Sequence, residues 1–177
     1  MPAISVSSRI VALFLCATLG ACAVGEERHA KFDPSDVNWS KAQGGNTIAG
    51  VARLGVDNGK TRTCASLPVR LAPDSDYTRA RMSTLYGDDD QGFVNARRAQ
   101  QLRSQTKGDS RYEHALKASV CDKQGRFAFR NLPDGTYYVL APVVWKNKLG
   151  EVAEGGFFMQ RVTVAGGQTK NVTLASR

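Results

Sequence analysis

Apolar and polar residues alternate at period two through much of the chain, and that pattern predicts strands. The longest run covers residues 125–141. Phe127 and Phe129 alternate with Arg126 and Arg130, Leu132 to Gly135 supply turn residues, and the alternation resumes from Thr136 to Trp145. It reads as a hairpin, two strands joined by a short connection. Through Val143, Val144 and Trp145 the second run is apolar on both faces, as expected of a central strand covered on both sides. Upstream, residues 47–54 have strand composition and lead into turn material at 55–59. Leu67, Val69 and Leu71 share one face of a further strand, as do Leu116, Ala118 and Val120. Residues 157–164 and 170–174 predict a last hairpin around Gly166 and Gly167, with Val162 and Val164 facing Val172 and Leu174. The chain is therefore expected to be all-β, with seven or so strands around one core.

The alternation stops at residue 74. Tyr77, Ala80, Met82 and Leu85 fit a short helix ended by Gly87. Asp88, Asp89 and Asp90 then precede residues 93–107, which are rich in Ala, Arg and Gln, with Gly108 beyond them. Acids at the start, bases along the body and a glycine past the end predict a second helix. Its apolar face of Phe93, Ala96, Ala99 and Leu102 is narrow, so it is expected to rest lightly on the domain. Residues 74–113 thus form a partly helical insertion within a domain at 47–177. Residues 22–46 read as a tether, with Phe32, Val37 and Trp39 lying partly against the domain.

Composition narrows the class. At 177 residues, 42% hydrophobic and 23% charged, the chain is globular. Its formal charge of +8 favours anionic partners: nucleic acid, acidic lipid head groups or acidic glycans. The amino terminus selects among them. Arg9 precedes a nearly all-apolar run at residues 10–19, too short for a bilayer core of about 30 Å, and Leu19-Gly20-Ala21-Cys22 follows. This order of features resembles a bacterial lipoprotein precursor. The resemblance implies cleavage after Ala21, removal of residues 1–21 as signal peptide, and acylation of Cys22. An ordinary signal peptide cut near Ala21 or Ala23 is the alternative. Ala23 after the cysteine implies, by the same resemblance, the outer membrane facing the periplasm. Export argues against nucleic acid and leaves the membrane, through its anchor, and an envelope protein or anionic glycan as expected partners. Loss of residues 1–21 removes one charged side chain, Arg9, so 23 basic and 16 acidic residues remain, a formal +7. Cys16 leaves with the signal and Cys22 is lipidated. Cys64 and Cys121 then either pair in an oxidising compartment or stay as separate buried thiols.

The strands at 47–51 and 67–71, the core Phe127-Ala-Phe129-Arg-Asn-Leu132-Pro-Asp-Gly135-Thr-Tyr137, and the run at 162–174 occur in an order that resembles the carboxypeptidase regulatory-like, or transthyretin-like, domain. The resemblance covers about residues 47–73 and 116–175. It implies a seven-stranded transthyretin-like or Ig-like β-sandwich that binds or displays something and rarely carries chemistry. His29 and His114 lack the His-x-x-Glu spacing of the metallopeptidases that carry such domains, and the chain ends Leu174-Ala-Ser-Arg177 rather than in the hydroxyisourate hydrolase tail.

Candidate site residues follow from charge and aromatic content. The triple aspartate at 88–90 could attract Ca²⁺ but lacks a distal acid, and a cap at the helix start explains it better. Arg97, Arg98, Arg103, Lys107 and Arg111 make the second helix basic, and Tyr77, Tyr86, Tyr112 and Trp145 are the aromatics expected near the insertion. Tyr86, Arg97, Arg98, Arg103 and Trp145 are the candidate binding residues. No cofactor, metal or catalytic set is expected, and the oligomeric state is open. The expected function is a non-enzymatic, lipid-anchored envelope protein that binds or scaffolds a protein or glycan. The alternative is a small envelope hydrolase or glycan-processing enzyme using Asp109, Glu113 and His114.

Overall fold

A computed structural model describes residues 31–56, 59–105, 108–147 and 153–176. The period-two runs become strands of two sheets. In the first, β1 (Asn46–Val56) is central. One edge pairs antiparallel with β6 (Arg126–Leu132) and, farther along, with β2 (Lys60–Thr63); the other pairs parallel with β9 (Thr169–Ser176). The second sheet has the order β4 (Gln91–Asn95), β8 (Ala153–Val164), β7 (Gly135–Lys146), β3 (Pro68–Pro73), β5 (Lys117–Val120), antiparallel throughout. The chain is an all-β sandwich with a partly helical insertion. The described residues hold nine strands rather than seven, because β2 and β4 carry too little apolar alternation to be read as strands.

Two expected connections are corrected. The runs on either side of residues 132–135 do not pair with each other: β6 lies in the first sheet and β7 in the second. The last hairpin is likewise absent, since β8 and β9 belong to opposite sheets. Val162 and Val164 do meet Val172 and Leu174, but across the core. A strand that crosses to the facing sheet needs the same inward alternation and the same tight turn as one that folds back beside its neighbour. The pattern alone cannot distinguish them.

These corners are held by buried polar groups. Asn46, fully buried, donates from Nδ2 to the Leu132 carbonyl at 3.0 Å and to Asp134 at 2.8 Å, while its Oδ1 accepts from the Gln168 amide at 2.9 Å. Asp134 in turn accepts from the Gly166 amide at 3.0 Å. One side chain thereby fastens both crossings. Tyr137 buries its ring and donates its hydroxyl to the Pro133 carbonyl at 3.1 Å. Trp39 packs on Tyr137 with ring centroids 5.1 Å apart and lies so close over Gly135 that a Cβ there would enter its six-membered ring.

Trp39 belongs to a 3-10 helix, Pro34–Lys41, capped by the Asp33 carboxylate, which accepts from the Ser35 amide at 2.9 Å. Phe32 and Val37 are fully buried. Residues 32–41 are therefore part of the domain, which corrects the reading of 22–46 as tether over that stretch.

Between the sheets lie Ile48, Phe127, Phe129, Val69, Leu71, Val139, Val143 and Val164, among others, all buried. Each such side chain contributes about 1.5–3 kcal/mol by leaving water. Cys64 and Cys121 form a disulfide with Cα atoms 5.7 Å apart, buried against this core.

The insertion covers the outer face of the second sheet. It comprises α1 (Asp76–Tyr86), β4, α2 (Ala96–Gln105) and α3 (Ser110–Ala115). The second predicted helix starts at Ala96 rather than Phe93, because residues 91–95 pair with β8. The aspartates introduce that strand rather than a helix: Asp88 accepts from the Asp90 amide at 2.6 Å, and Asn95 caps α2 by accepting from the Arg98 amide at 2.9 Å. Ala96 and Ala99 are buried, so α2 sits more firmly than its composition suggested.

Candidate binding site

Because β7 and its neighbours carry apolar residues on both faces, the outer face of the second sheet needs a cover. The insertion provides it incompletely. Tyr138 and Met159 from the sheet pack with Met82, Tyr112, Phe32 and Val37, all buried. Phe32, Tyr77 and Tyr112 form a ring triad with centroids 5.0–5.5 Å apart. The Arg111 guanidinium donates to the Phe32 carbonyl at 3.2 Å and pairs with Asp109 at 2.6 Å. At the base of the insertion, Asp74 receives Arg79 at 2.6 Å and Arg161 at 3.0 Å.

Beyond this packed region the helices lift away and leave a cleft of about 510 Å³. Leu140 and Pro142 of β7, Arg70 of β3 and Phe157 of β8 form its floor. Arg81, Leu85 and Tyr86 of α1, Arg103 of α2, and Tyr112 and Glu113 of α3 form its walls. Arg81 lies over the Tyr112 ring at 5.7 Å and Arg103 over the Phe157 ring at 4.8 Å. Stacking fixes a guanidinium without consuming its N–H donors. Burial pushes the Tyr86 phenol up to about 12, with the positive charges of Arg103 and Arg81 working against the rise. That phenol thus stays neutral and remains a hydrogen-bond donor across the physiological range.

The expected binding residues divide. Tyr86 and Arg103 line the cleft together. Arg97 and Arg98 do not line it, although all three arginines of α2 are exposed. Helical spacing explains the split: Arg103 follows Ala96 and Ala99 on the face turned toward the sheet, and residues 97 and 98 lie off it. Trp145 is also elsewhere. It packs against the inner core, carries Arg62 over its ring at 5.0 Å and donates Nε1–H to Glu154 at 2.6 Å. The sequence reading missed Arg70, Arg81 and Phe157. Arg81 shares the α1 face of Tyr77 and Leu85, a spacing that could have pointed to it.

The hydrolase residues are not assembled. Asp109 caps α3 by accepting from the Arg111 amide at 2.9 Å, and the Arg111 side chain holds its carboxyl below the usual range. Glu113 stands at the cleft rim, while His114 is exposed and outside it. Among the described residues no cluster of three or more His, Cys, Asp or Glu could hold a metal ion, and no helix is long and apolar enough to cross a membrane. Cys22 lies outside the described residues.

No protein-family model and no curated protein matches the chain. Among solved structures it is similar to the crystal structure of a "putative carbohydrate binding protein" from Pseudomonas aeruginosa, with 24% identity and a TM-score of 0.67 over 83% of this chain and 99% of that one. The likeness is one of fold.

Proposed function

We propose that the chain is a non-enzymatic, lipid-anchored envelope protein whose sandwich, of the carboxypeptidase regulatory-like kind, binds carbohydrate in the insertion cleft. The observation that carries this reading is the cleft itself, in which apolar floor residues and fixed polar donors converge on a rigid sheet. The carbohydrate-binding description of the Pseudomonas aeruginosa protein of similar fold favours a sugar over a protein as occupant. The Leu19-Gly20-Ala21-Cys22 sequence after the apolar run supports the anchor. Two or three acyl chains hold far more firmly than one, since each buried methylene adds about 0.8 kcal/mol. Residues 22–32 span at most about 36 Å when fully extended. With Cys22 in the outer membrane, Phe32 and the packed region beside the cleft stay within that distance of the periplasmic leaflet.

The test uses the full chain recovered from the membrane fraction. Intact mass should give a start at Cys22 with added acyl mass, and an unacylated chain would remove the anchor. A glycan array should retain the protein on a subset of sugars, with retention lost in Leu85→Trp, which fills the cleft. An array on which no sugar is retained would end the carbohydrate reading.

A further inference from the structure

The arginines of the insertion and its surroundings fall into two groups. Arg79, Arg111, Arg126 and Arg161 each pair with an aspartate. Arg70, Arg81 and Arg103, which line the cleft, form no ion pair with a described acid. Two of them are instead held on aromatic rings. Among the described residues the cleft therefore gathers three cations against one carboxylate, Glu113, in a recess bounded by Leu85, Leu140 and Pro142. A guanidinium that is already immobilised loses little freedom on binding, and its planar fork matches a carboxylate or sulfate bidentately. A neutral sugar would use few of these donors and would leave the concentrated positive charge unopposed.

Resting on the reading of the cleft as a carbohydrate site, we propose that its ligand is an acidic oligosaccharide whose anionic group is held between Arg81 and Arg103. Arg70 takes a second oxygen or the next acidic unit. The Tyr86 hydroxyl donates to a ring or hydroxyl oxygen, and Glu113 at the rim accepts from sugar hydroxyls. The stacked arginines supply direction as well as charge, so the site distinguishes an acid from its ester.

The test titrates the full chain with oligogalacturonate, with the same oligosaccharide as its methyl ester, and with a sulfated tetrasaccharide. At least one acidic probe should bind about tenfold or more tightly than the ester. That preference should shrink when salt rises from about 0.1 M to about 1 M, which shortens the screening length from about 10 Å to about 3 Å. Arg81→Gln and Arg103→Gln should each lose about tenfold for the preferred acid, while Arg62→Gln, stacked on Trp145 outside the cleft, should lose nothing. Arg103→Lys, which keeps the charge without the fork, should fall between and guards against a folding defect. Which acid binds separates carboxylate from sulfate. Equal binding of ester and acids would overturn the acidic ligand and leave a carbohydrate site. Binding of no sugar would overturn both. Acid binding untouched by either glutamine substitution would assign the preference to general surface charge and overturn the site.

Discussion

The two faces of the five-stranded sheet are covered by different means. The inner face meets another sheet, and aliphatic and aromatic side chains interlock there with a disulfide at one end. The outer face meets helices, and its cover is part packing, part ion pairs: a ring triad, Asp74 between two arginines, and a capped turn at Asp109. Each strand contributes one set of residues to either side. The inner side is filled chiefly by these interlocking side chains. The other side, where an irregular segment lies over a regular surface, leaves a cleft at the margin. A packed core and an open cleft thereby occupy opposite faces of one sheet.

That division can be tested from its strongest point downward. Replacing Cys64 and Cys121 by serine should cost about 4 kcal/mol in urea unfolding, the chain-entropy value for a loop of this length. The loss should appear in a single global transition. Asn46→Ala leaves the Leu132 carbonyl, Asp134 and the Gln168 amide without their buried partner, and should cost about 2–4 kcal/mol, again globally. Asp74→Asn acts on the other face. It should cost about 1–2 kcal/mol, with faster hydrogen exchange in α1 and little change in β1 or β6. If exchange instead rises evenly through both sheets, the two faces are one cooperative unit and the comparison fails.

The smallest effect is with pH. Asp33 is held low chiefly by the Ser35 amide, and Asp109 chiefly by the Arg111 side chain, so both have folded pKa values below their unfolded ones. Their stabilisation is present above the unfolded value of 3.8 and is lost as pH falls through the lower folded values. Below about pH 4 the emission of Trp39, read in a Trp145→Phe background, should therefore shift before the far-UV signal of the sandwich collapses. Simultaneous loss of both signals would show that these caps do not act locally.

The inner face was largely legible in the sequence, because period-two alternation reports directly which side chains point to a core. Phe127 and Phe129, and likewise Val69 and Leu71, are picked out by that means and are buried. What alternation cannot report is the partner of a strand, and hence the crossings at 132–135 and at 166–167 were read as hairpins. The outer face was legible only in fragments. Phe32 and Val37 are isolated apolar residues in a polar stretch, and their burial depends on a surface that the chain builds much later. The cleft gathers β3, β7, β8 and three helices, so no local window contains it. Residue type alone points to Tyr86 and Arg103, and it points equally to Arg97 and Arg98, because charge by itself carries no helical phase.

The disulfide and the β3–β5 pairing together make the insertion the loop of a hairpin. Pro68 lies opposite Val120 and Leu71 opposite Lys117, with Cys64 and Cys121 joined just below. The segment between leaves and re-enters the sandwich at adjacent points. A protease cut within it would give two fragments that remain one covalent molecule until reduced. Apart from β4, which the segment itself contributes to the edge beside β8, its length and composition can change while the remaining strands keep one another as neighbours. A scaffold arranged in this way can acquire new ligands by rewriting one loop.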